Sequence, residues 1–127
     1  MGVRVLIVDD SKLARIVLTR TIGALQPDWA CVEAANGDDA LAAIENEKAD
    51  VAILDFNMPG KNGLVLAEEL RSRFPDMPIA IATANIQDEI ISRARAAKAH
   101  FIPKPVNEEG LRSFLSGAEI KLRPESK

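Results

Sequence analysis

The chain has 127 residues, which is enough for one domain with its own hydrophobic core and too few for two. Its net charge of -3 comes without a dense basic run, which argues against direct binding of nucleic acid. The single cysteine, Cys31, excludes an internal disulfide. No apolar run reaches the length of a membrane span, and the first residues lead straight into a strand, so we predict a cytoplasmic protein without membrane insertion.

Strands and helices are predicted to alternate along the chain. Apolar runs that end at turn residues predict five strands, at 3–8, 29–34, 49–55, 79–83 and 101–102. Apolar residues at helical spacing predict five helices between and after them: one capped by Asp10 or Ser11, one after the turn at 36–38, one from near Gly63, one over about 86–98, and one from near Asn107. This alternation is typical of a parallel sheet covered by helices on both faces.

The same spacing predicts which helix residues face the core. In the first helix they are Ala14, Val17, Leu18, Thr21 and Leu25. In the following helices they are Ala40, Leu41 and Ile44, then Leu66, Ala67 and Leu70, then Ile86, Ile90, Ala94 and Ala97, and finally Leu111, Phe114 and Leu115.

Polar side chains follow four of the predicted strands. Asp9 and Asp10 come after the first strand, Asp55 ends the third, Thr83 ends the fourth, and Lys104 follows the fifth. The carboxyl ends of parallel strands meet at one edge of the sheet, where open α/β sheets place their ligand sites, so these side chains should converge.

The convergent groups favour phosphoryl transfer. Three clustered carboxylates repel one another, and a divalent cation removes that repulsion; oxygen ligands in a small rigid site favour Mg²⁺. A metal ion, the Lys104 ammonium and the Thr83 hydroxyl around the central Asp55 would neutralise and orient a phosphoryl group. Asp55 is placed to be the nucleophile and would become an acyl phosphate.

Five motifs occur in order along nearly the whole chain. They are Val8-Asp9-Asp10-Ser11, Leu54-Asp55-Phe56-Asn57-Met58-Pro59-Gly60, Gly63, Ala82-Thr83-Ala84 and Phe101-Ile102-Pro103-Lys104-Pro105. In these motifs the chain resembles the receiver domains of two-component response regulators, the CheY-like family. The resemblance implies an α/β fold of the flavodoxin/CheY type, with a doubly wound five-stranded parallel sheet of order 2-1-3-4-5 and five helices. The receiver would occupy 1–122, with a tail at 123–127.

The resemblance also implies a role for each site residue. Asp55 would be the phosphoacceptor. Mg²⁺ would be bound by Asp10, Asp55 and the backbone carbonyl of Asn57, and by Asp9 mainly through water.

Further roles concern the response to phosphorylation. Thr83 and Lys104 would contact the phosphoryl group, and the Lys104–Pro105 peptide bond would be cis. Phe101 would occupy the aromatic switch position and would turn inward behind Thr83. Asn57 and Asn85 would flank the water that removes the phosphoryl group.

The implied partners are proteins. A histidine kinase or phosphotransfer protein would donate the phosphoryl group, and a downstream target would bind the face formed by helix 4, strand 5 and helix 5. We expect a monomer that is not an enzyme beyond its own phosphorylation and slow dephosphorylation. A stand-alone regulator is favoured over the receiver part of a longer one.

Two other functions fit the fold class less well. An aspartyl-phosphate phosphatase of the haloacid dehalogenase type needs a second acid two residues after the nucleophile, where this chain has Asn57. A nucleotide- or flavin-binding module needs a glycine-rich phosphate loop after the first strand, where this chain has Asp9 and Asp10.

Overall fold

The computed structural model describes residues 2–84 and 86–122. The described residues form five strands: β1 Arg4–Val8, β2 Ala30–Ala34, β3 Val51–Asp55, β4 Ile79–Thr83 and β5 His100–Pro103. They form five helices: α1 Lys12–Leu25, α2 Gly37–Asn46, α3 Gly63–Arg73, α4 Asp88–Ala96 and α5 Glu108–Leu122. Strand and helix alternate along the chain, as the sequence predicts. The predicted tail at 123–127 and Asn85 lie outside the described residues.

The five strands form one parallel sheet in the order β2-β1-β3-β4-β5. This confirms the predicted doubly wound fold and its strand order. The central strands β3 and β4 are buried along their whole length, which explains why both are apolar up to their last residue. Strands are added in opposite directions on the two sides of the β1–β3 pair, with β2 beside β1 and β4 and β5 beyond β3. The carboxyl ends of β1 and β3 therefore frame a crevice at the edge of the sheet.

Each face of the sheet carries its own hydrophobic core because successive strand residues point to opposite faces. One core contains Leu6, Leu54 and Ile81, and it packs against α2, α3 and α4. The other contains Val5, Ile7, Val51, Ile53, Ala80 and Ile102, and it packs against α1 and α5.

Two helix residues predicted to face the core are exposed. Val17 is 53% exposed, because α1 turns Leu18 and Ile22, one helical turn apart, onto the sheet and leaves Val17 at the side of that stripe. Ile86 is 62% exposed, because α4 begins at Asp88 and Ile86 lies in the connection before it. The predicted helix over about 86–98 is therefore too long at both ends.

Side chains cap four of the helices at their N-termini. At the start of α5, the Asn107 side chain accepts a hydrogen bond from the backbone N–H of Gly110 at 2.7 Å. Ser11 accepts a hydrogen bond from the backbone of Ala14 at the start of α1, which settles the choice between Asp10 and Ser11. Asn36 and Asn62 do the same for α2 and α3. Helix α4 differs, because its N-cap Gln87 makes no side-chain capping bond.

The C-terminal end of α4 is fastened to α3 by Arg71. The Arg71 guanidinium donates to the carbonyls of Ala97 at 2.8 Å and Lys98 at 3.0 Å. It also donates to the carbonyls of Phe74 at 3.2 Å and Pro75 at 2.8 Å, just after α3. One side chain thus satisfies backbone acceptors after two helices, which would otherwise lack partners from their own helix.

Candidate functional site

The loop between β1 and α1 holds two adjacent carboxylates in different environments. Asp9 is 4% exposed, whereas Asp10 is exposed. The backbone N–H of Asp9 donates to the carbonyl of Ala34 at 3.1 Å, and the N–H of Ser11 donates to the Asp9 carboxylate at 2.9 Å. Burial raises the pKa of Asp9, and the neighbouring charges of Asp55 and Asp10 act in the same direction. The loop therefore presents a desolvated acid whose ionised form a cation would stabilise.

Asp55 ends the central strand β3 and is 4% exposed. Its carboxylate lies 2.5 Å from the ammonium of Lys104, whose side chain is 33% exposed. Lys104 follows β5, and the peptide bond between it and Pro105 is cis, which confirms the prediction from the resemblance. A buried acid thus meets a cation that can be reached from solvent.

The three acids form one oxygen cluster. A carboxylate oxygen from each of Asp9, Asp10 and Asp55 lies within 4.8 Å of the other two. Carboxylate oxygens are the ligands that Mg²⁺ prefers, and Mg²⁺ often uses few of them and keeps several waters. The donor set and the raised pKa of Asp9 therefore fit this cation. Asn57, two residues after Asp55, is exposed in the loop that leaves β3.

The predicted switch residues lie on the neighbouring strands. Thr83 ends β4 and is fully buried, next to Ala82, which pairs in register with Asp55. Phe101 is half-buried on β5, in register with Ile81. The carbonyl of Thr83 accepts a hydrogen bond from the N–H of Lys104 at 3.0 Å. The predicted site residues on β4 and after β5 are therefore joined through their backbones.

Gly63 allows α3 to start against the end of β3. A methyl group on Gly63 would lie 2.3 Å from the Asp55 carbonyl oxygen and 3.0 Å from the Cα of Phe56. The N–H of Gly63 also donates to the carbonyl of Phe56 at 3.0 Å. The first residue of α3 thus rests directly on the backbone that carries Asp55.

Arg15 is a site neighbour that the sequence reasoning missed. It lies in the first turn of α1, and its guanidinium donates to the main-chain carbonyl of Asp9 at 2.6 Å. The same guanidinium pairs with Glu33 on β2 at 3.0 Å. The sequence signal for this contact is a pair of opposite charges. Arg15 lies on the first turn of the helix that follows Asp9 and Asp10, and Glu33 lies on β2, the strand beside β1.

An apolar cavity of about 430 Å³ opens beside the acids, between α1 and α5. Asp9, Asp55 and Lys104 line one part of it, and Leu18 and Leu111 line its wall. Two more lining residues on α1 are exposed apolar side chains: Leu13 is 70% exposed and Val17 is 53% exposed. An apolar surface therefore runs from α1 to the phosphoacceptor candidate.

The molecule is thus an α/β domain with a cluster of acidic residues at the carboxyl edge of its parallel sheet. The sequence matches the family described as the response regulator receiver domain over residues 5–116, and the chain belongs to that family. The solved structure of the chemotaxis protein CheY4 of Vibrio cholerae is similar to it, with a TM-score of 0.83 at 30% identity over 93% of this chain and 99% of that one.

Two relatives of this chain are longer proteins. The transcriptional regulatory protein CitT of Bacillus subtilis is 37% identical over 108 residues, which cover 84% of this chain and 47% of CitT. The positive alginate biosynthesis regulatory protein of Pseudomonas aeruginosa is 38% identical over 117 residues, which cover 90% of this chain and 46% of that protein. The chain thus spans about half the length of these relatives. Among the described residues, no helix has both the length and the apolar character needed to cross a membrane.

Proposed function

We propose that this receiver domain accepts a phosphoryl group on Asp55 and, in response, changes the face formed by α4, β5 and α5. One observation carries the proposal: a nearly buried carboxylate at the end of the central strand lies 2.5 Å from Lys104 and within one oxygen cluster with two further acids. Such an acid is shielded from bulk water. The Lys104 ammonium, and a cation held by the carboxylate cluster, would neutralise the charge of a phosphoryl group.

In the transfer, an Asp55 oxygen attacks the phosphorus of a phosphohistidine or acyl phosphate. The new O–P bond forms as the donor's N–P or O–P bond breaks, and the leaving group keeps the electron pair. Lys104 would turn its ammonium from the free carboxylate to the phosphoryl oxygens. Thr83, buried beside the end of β3, would donate its hydroxyl to them.

Asp9, Asp10 and Asp55 would hold Mg²⁺, together with the backbone carbonyl of Asn57. The bound ion would offset the charge of the clustered carboxylates and of the phosphoryl group. The geometry that supports this is the oxygen cluster and the burial that raises the pKa of Asp9.

The conformational response to phosphorylation would pass from the site through β4 and β5. Thr83 would move toward the phosphorylated Asp55, and Phe101 would turn into the space behind it. The side chain of Phe101 is already half-buried and carries no hydroxyl, so packing alone would drive its movement. This is a local change of charge that biases an element with two packed states. A downstream protein would then bind the altered face.

The apolar surface beside the site suits a phosphodonor protein. Leu13 and Val17 on α1 could contact an apolar helix of a histidine kinase or phosphotransfer protein. Such a contact would place the donor next to Asp55, because the same cavity extends to that carboxylate.

Intact-mass measurement after incubation with acetyl phosphate and Mg²⁺ tests the phosphoacceptor. We expect one phosphoryl adduct on the parent and none on Asp55→Asn, and no adduct when EDTA replaces Mg²⁺. Asp76→Asn is the matched control, because Asp76 is an exposed acid in the connection between α3 and β4. It should be phosphorylated like the parent. An adduct that persists on Asp55→Asn would contradict the assignment.

A further inference from the structure

Arg15 joins the acid-bearing loop to the neighbouring strand. Its guanidinium contacts the carbonyl of Asp9 at 2.6 Å and the carboxylate of Glu33 at 3.0 Å. The Arg15 side chain is 15% exposed, and that of Glu33 is 41% exposed. Glu33 lies on β2, where it pairs in register with Ile7 of β1, two residues before Asp9. The link therefore runs from the edge strand, through α1, to the main chain of a cluster acid.

Three hydrogen bonds fix Asp9, one at each of its polar groups. Its N–H donates to the carbonyl of Ala34, and its carboxylate accepts from the N–H of Ser11. Its carbonyl accepts from Arg15. The donors of the first two bonds are backbone N–H groups, which a change of a neighbouring side chain leaves in place. The third depends on Arg15, so it is the one that substitution can remove.

We infer that Arg15, held by Glu33, is a positioning residue that keeps the loop in the form in which Asp9 and Asp10 face Asp55. The inference rests on the proposed Mg²⁺ site and deepens it. A part-buried carbonyl that loses a charged donor needs another partner, and the peptide between Asp9 and Asp10 would turn to reach one. That rotation moves the Asp10 carboxylate, which is exposed and so has few contacts to hold it.

Positioning and simple charge predict opposite results. By charge alone, the Arg15 cation repels Mg²⁺, and its removal should tighten binding of the ion. If Arg15 positions the loop, its removal should weaken binding, because the ligands are no longer preorganised. Groups that orient metal ligands through hydrogen bonds typically change metal affinity by about tenfold or more when they are lost.

The test measures Mg²⁺ affinity by isothermal titration calorimetry at constant ionic strength. Arg20→Met is the matched control, because Arg20 is an exposed cation on the same helix and its loss changes the net charge equally. We expect Arg15→Met to bind Mg²⁺ about tenfold more weakly than Arg20→Met. Arg15→Lys should recover part of this loss, since one ammonium can serve the carbonyl or Glu33 but lacks the planar fork that serves both.

Thermal unfolding in EDTA is measured for every variant, so that a loss of fold is recognised. If Arg15→Met does not fold, Arg15→Lys decides, because it keeps the positive charge but loses the planar fork that serves both partners. It should bind Mg²⁺ a few-fold more weakly than the parent, whereas charge alone predicts no change. Equal or tighter binding in the folded Arg15 variants would overturn the inference. A parent that gives no heat with Mg²⁺ and unfolds at the same Tm in Mg²⁺ and in EDTA would instead overturn the proposed metal site.

Discussion

Gly63 offers a sharp test of how closely α3 approaches β3, the strand that ends at Asp55. In Gly63→Ala, the added methyl carbon must move by about 1 Å from its position 2.3 Å from the Asp55 carbonyl oxygen to reach ordinary contact distance. The atoms it meets are backbone, so no side chain can turn away. Overpacking of this kind costs about 1–3 kcal/mol, and the better helix propensity of alanine returns at most about 1 kcal/mol.

We therefore expect Gly63→Ala to lower the free energy of unfolding by about 1–2 kcal/mol, which lowers the Tm by about 4–8 °C in a domain of this size. Circular dichroism measures this directly. Gly23→Ala and Gly117→Ala are matched controls, because both sites lie within helices and a methyl group there meets nothing within 4 Å. Each should raise stability by about 0.5–1 kcal/mol.

The site should respond as well as the fold. At 20 °C, where a variant with this loss remains folded, Gly63→Ala should accept a phosphoryl group from acetyl phosphate more slowly than the parent. The reason is that the methyl group presses on the backbone of Asp55, the proposed phosphoacceptor. The helix controls should keep the parent rate. If Gly63→Ala is as stable as Gly23→Ala, the close approach of α3 to β3 is wrong.

Three further predictions follow from burial and contacts. Asp9→Asn should stabilise the metal-free protein at pH 7, because burial raises the pKa of Asp9 in the folded state and its ionised form opposes folding; the advantage should shrink as pH falls through that raised pKa, which thermal unfolding in EDTA against pH will measure. With a histidine kinase that phosphorylates the parent, Val17→Asp should be phosphorylated about tenfold or more slowly, whereas its rate with acetyl phosphate should be unchanged. Ile120→Asp, at an exposed apolar site on α5, should change neither rate. Arg71→Met should lower the free energy of unfolding by roughly 2 kcal/mol in urea, whereas Arg73→Met, which loses a surface ion pair, should change it by less than about 1 kcal/mol.

The parallel sheet could be predicted from the sequence because its two central strands are uninterrupted apolar runs, which are typical of strands buried on both faces. Val51–Asp55 and Ile79–Thr83 are apolar up to their last residue, and each is buried on both faces. Once these strands are parallel, their carboxyl ends must meet at one edge. That geometry is enough to bring Asp9, Asp55 and Lys104 together from distant parts of the sequence.

The orientation of α1 could not be derived from spacing in the same way. The apolar residues of α1 surround more than half of the helix, so two different faces could pack on the sheet. Leu18 belongs to both faces, one shared with Val17 and the other with Ile22. In the structure, the face with Leu18 and Ile22 packs against Val5 and Ile7. Val17 is left beside the cavity, where an exposed apolar residue can serve a partner instead of the core.

Long-range polar contacts were also beyond the sequence. Arg71 is one of several arginines on helices. Neither the amino-acid composition nor any motif distinguishes it from Arg73 in the sequence. Its carbonyl partners at Ala97 and Lys98 become neighbours only after α3 and α4 pack on the same face of the sheet. The same holds for Gly63, whose tight contact with β3 depends on where the helix lands.

Helix α4 is held by Arg71 at its C-terminal end and has no side-chain cap at its N-terminal end. Its two ends should therefore move by different amounts when the helix rotates. Its nine residues span about 13 Å, so a rotation of 10° that preserves the Arg71 hydrogen bonds would move its first turn by about 2 Å and its last turn hardly at all. The first turn is the end that follows Thr83. A partner that contacts α4 near Asp88 would bind the two states with the largest difference in affinity if phosphorylation caused such a rotation. A partner that contacts α4 near Ala97 would bind both states with similar affinity.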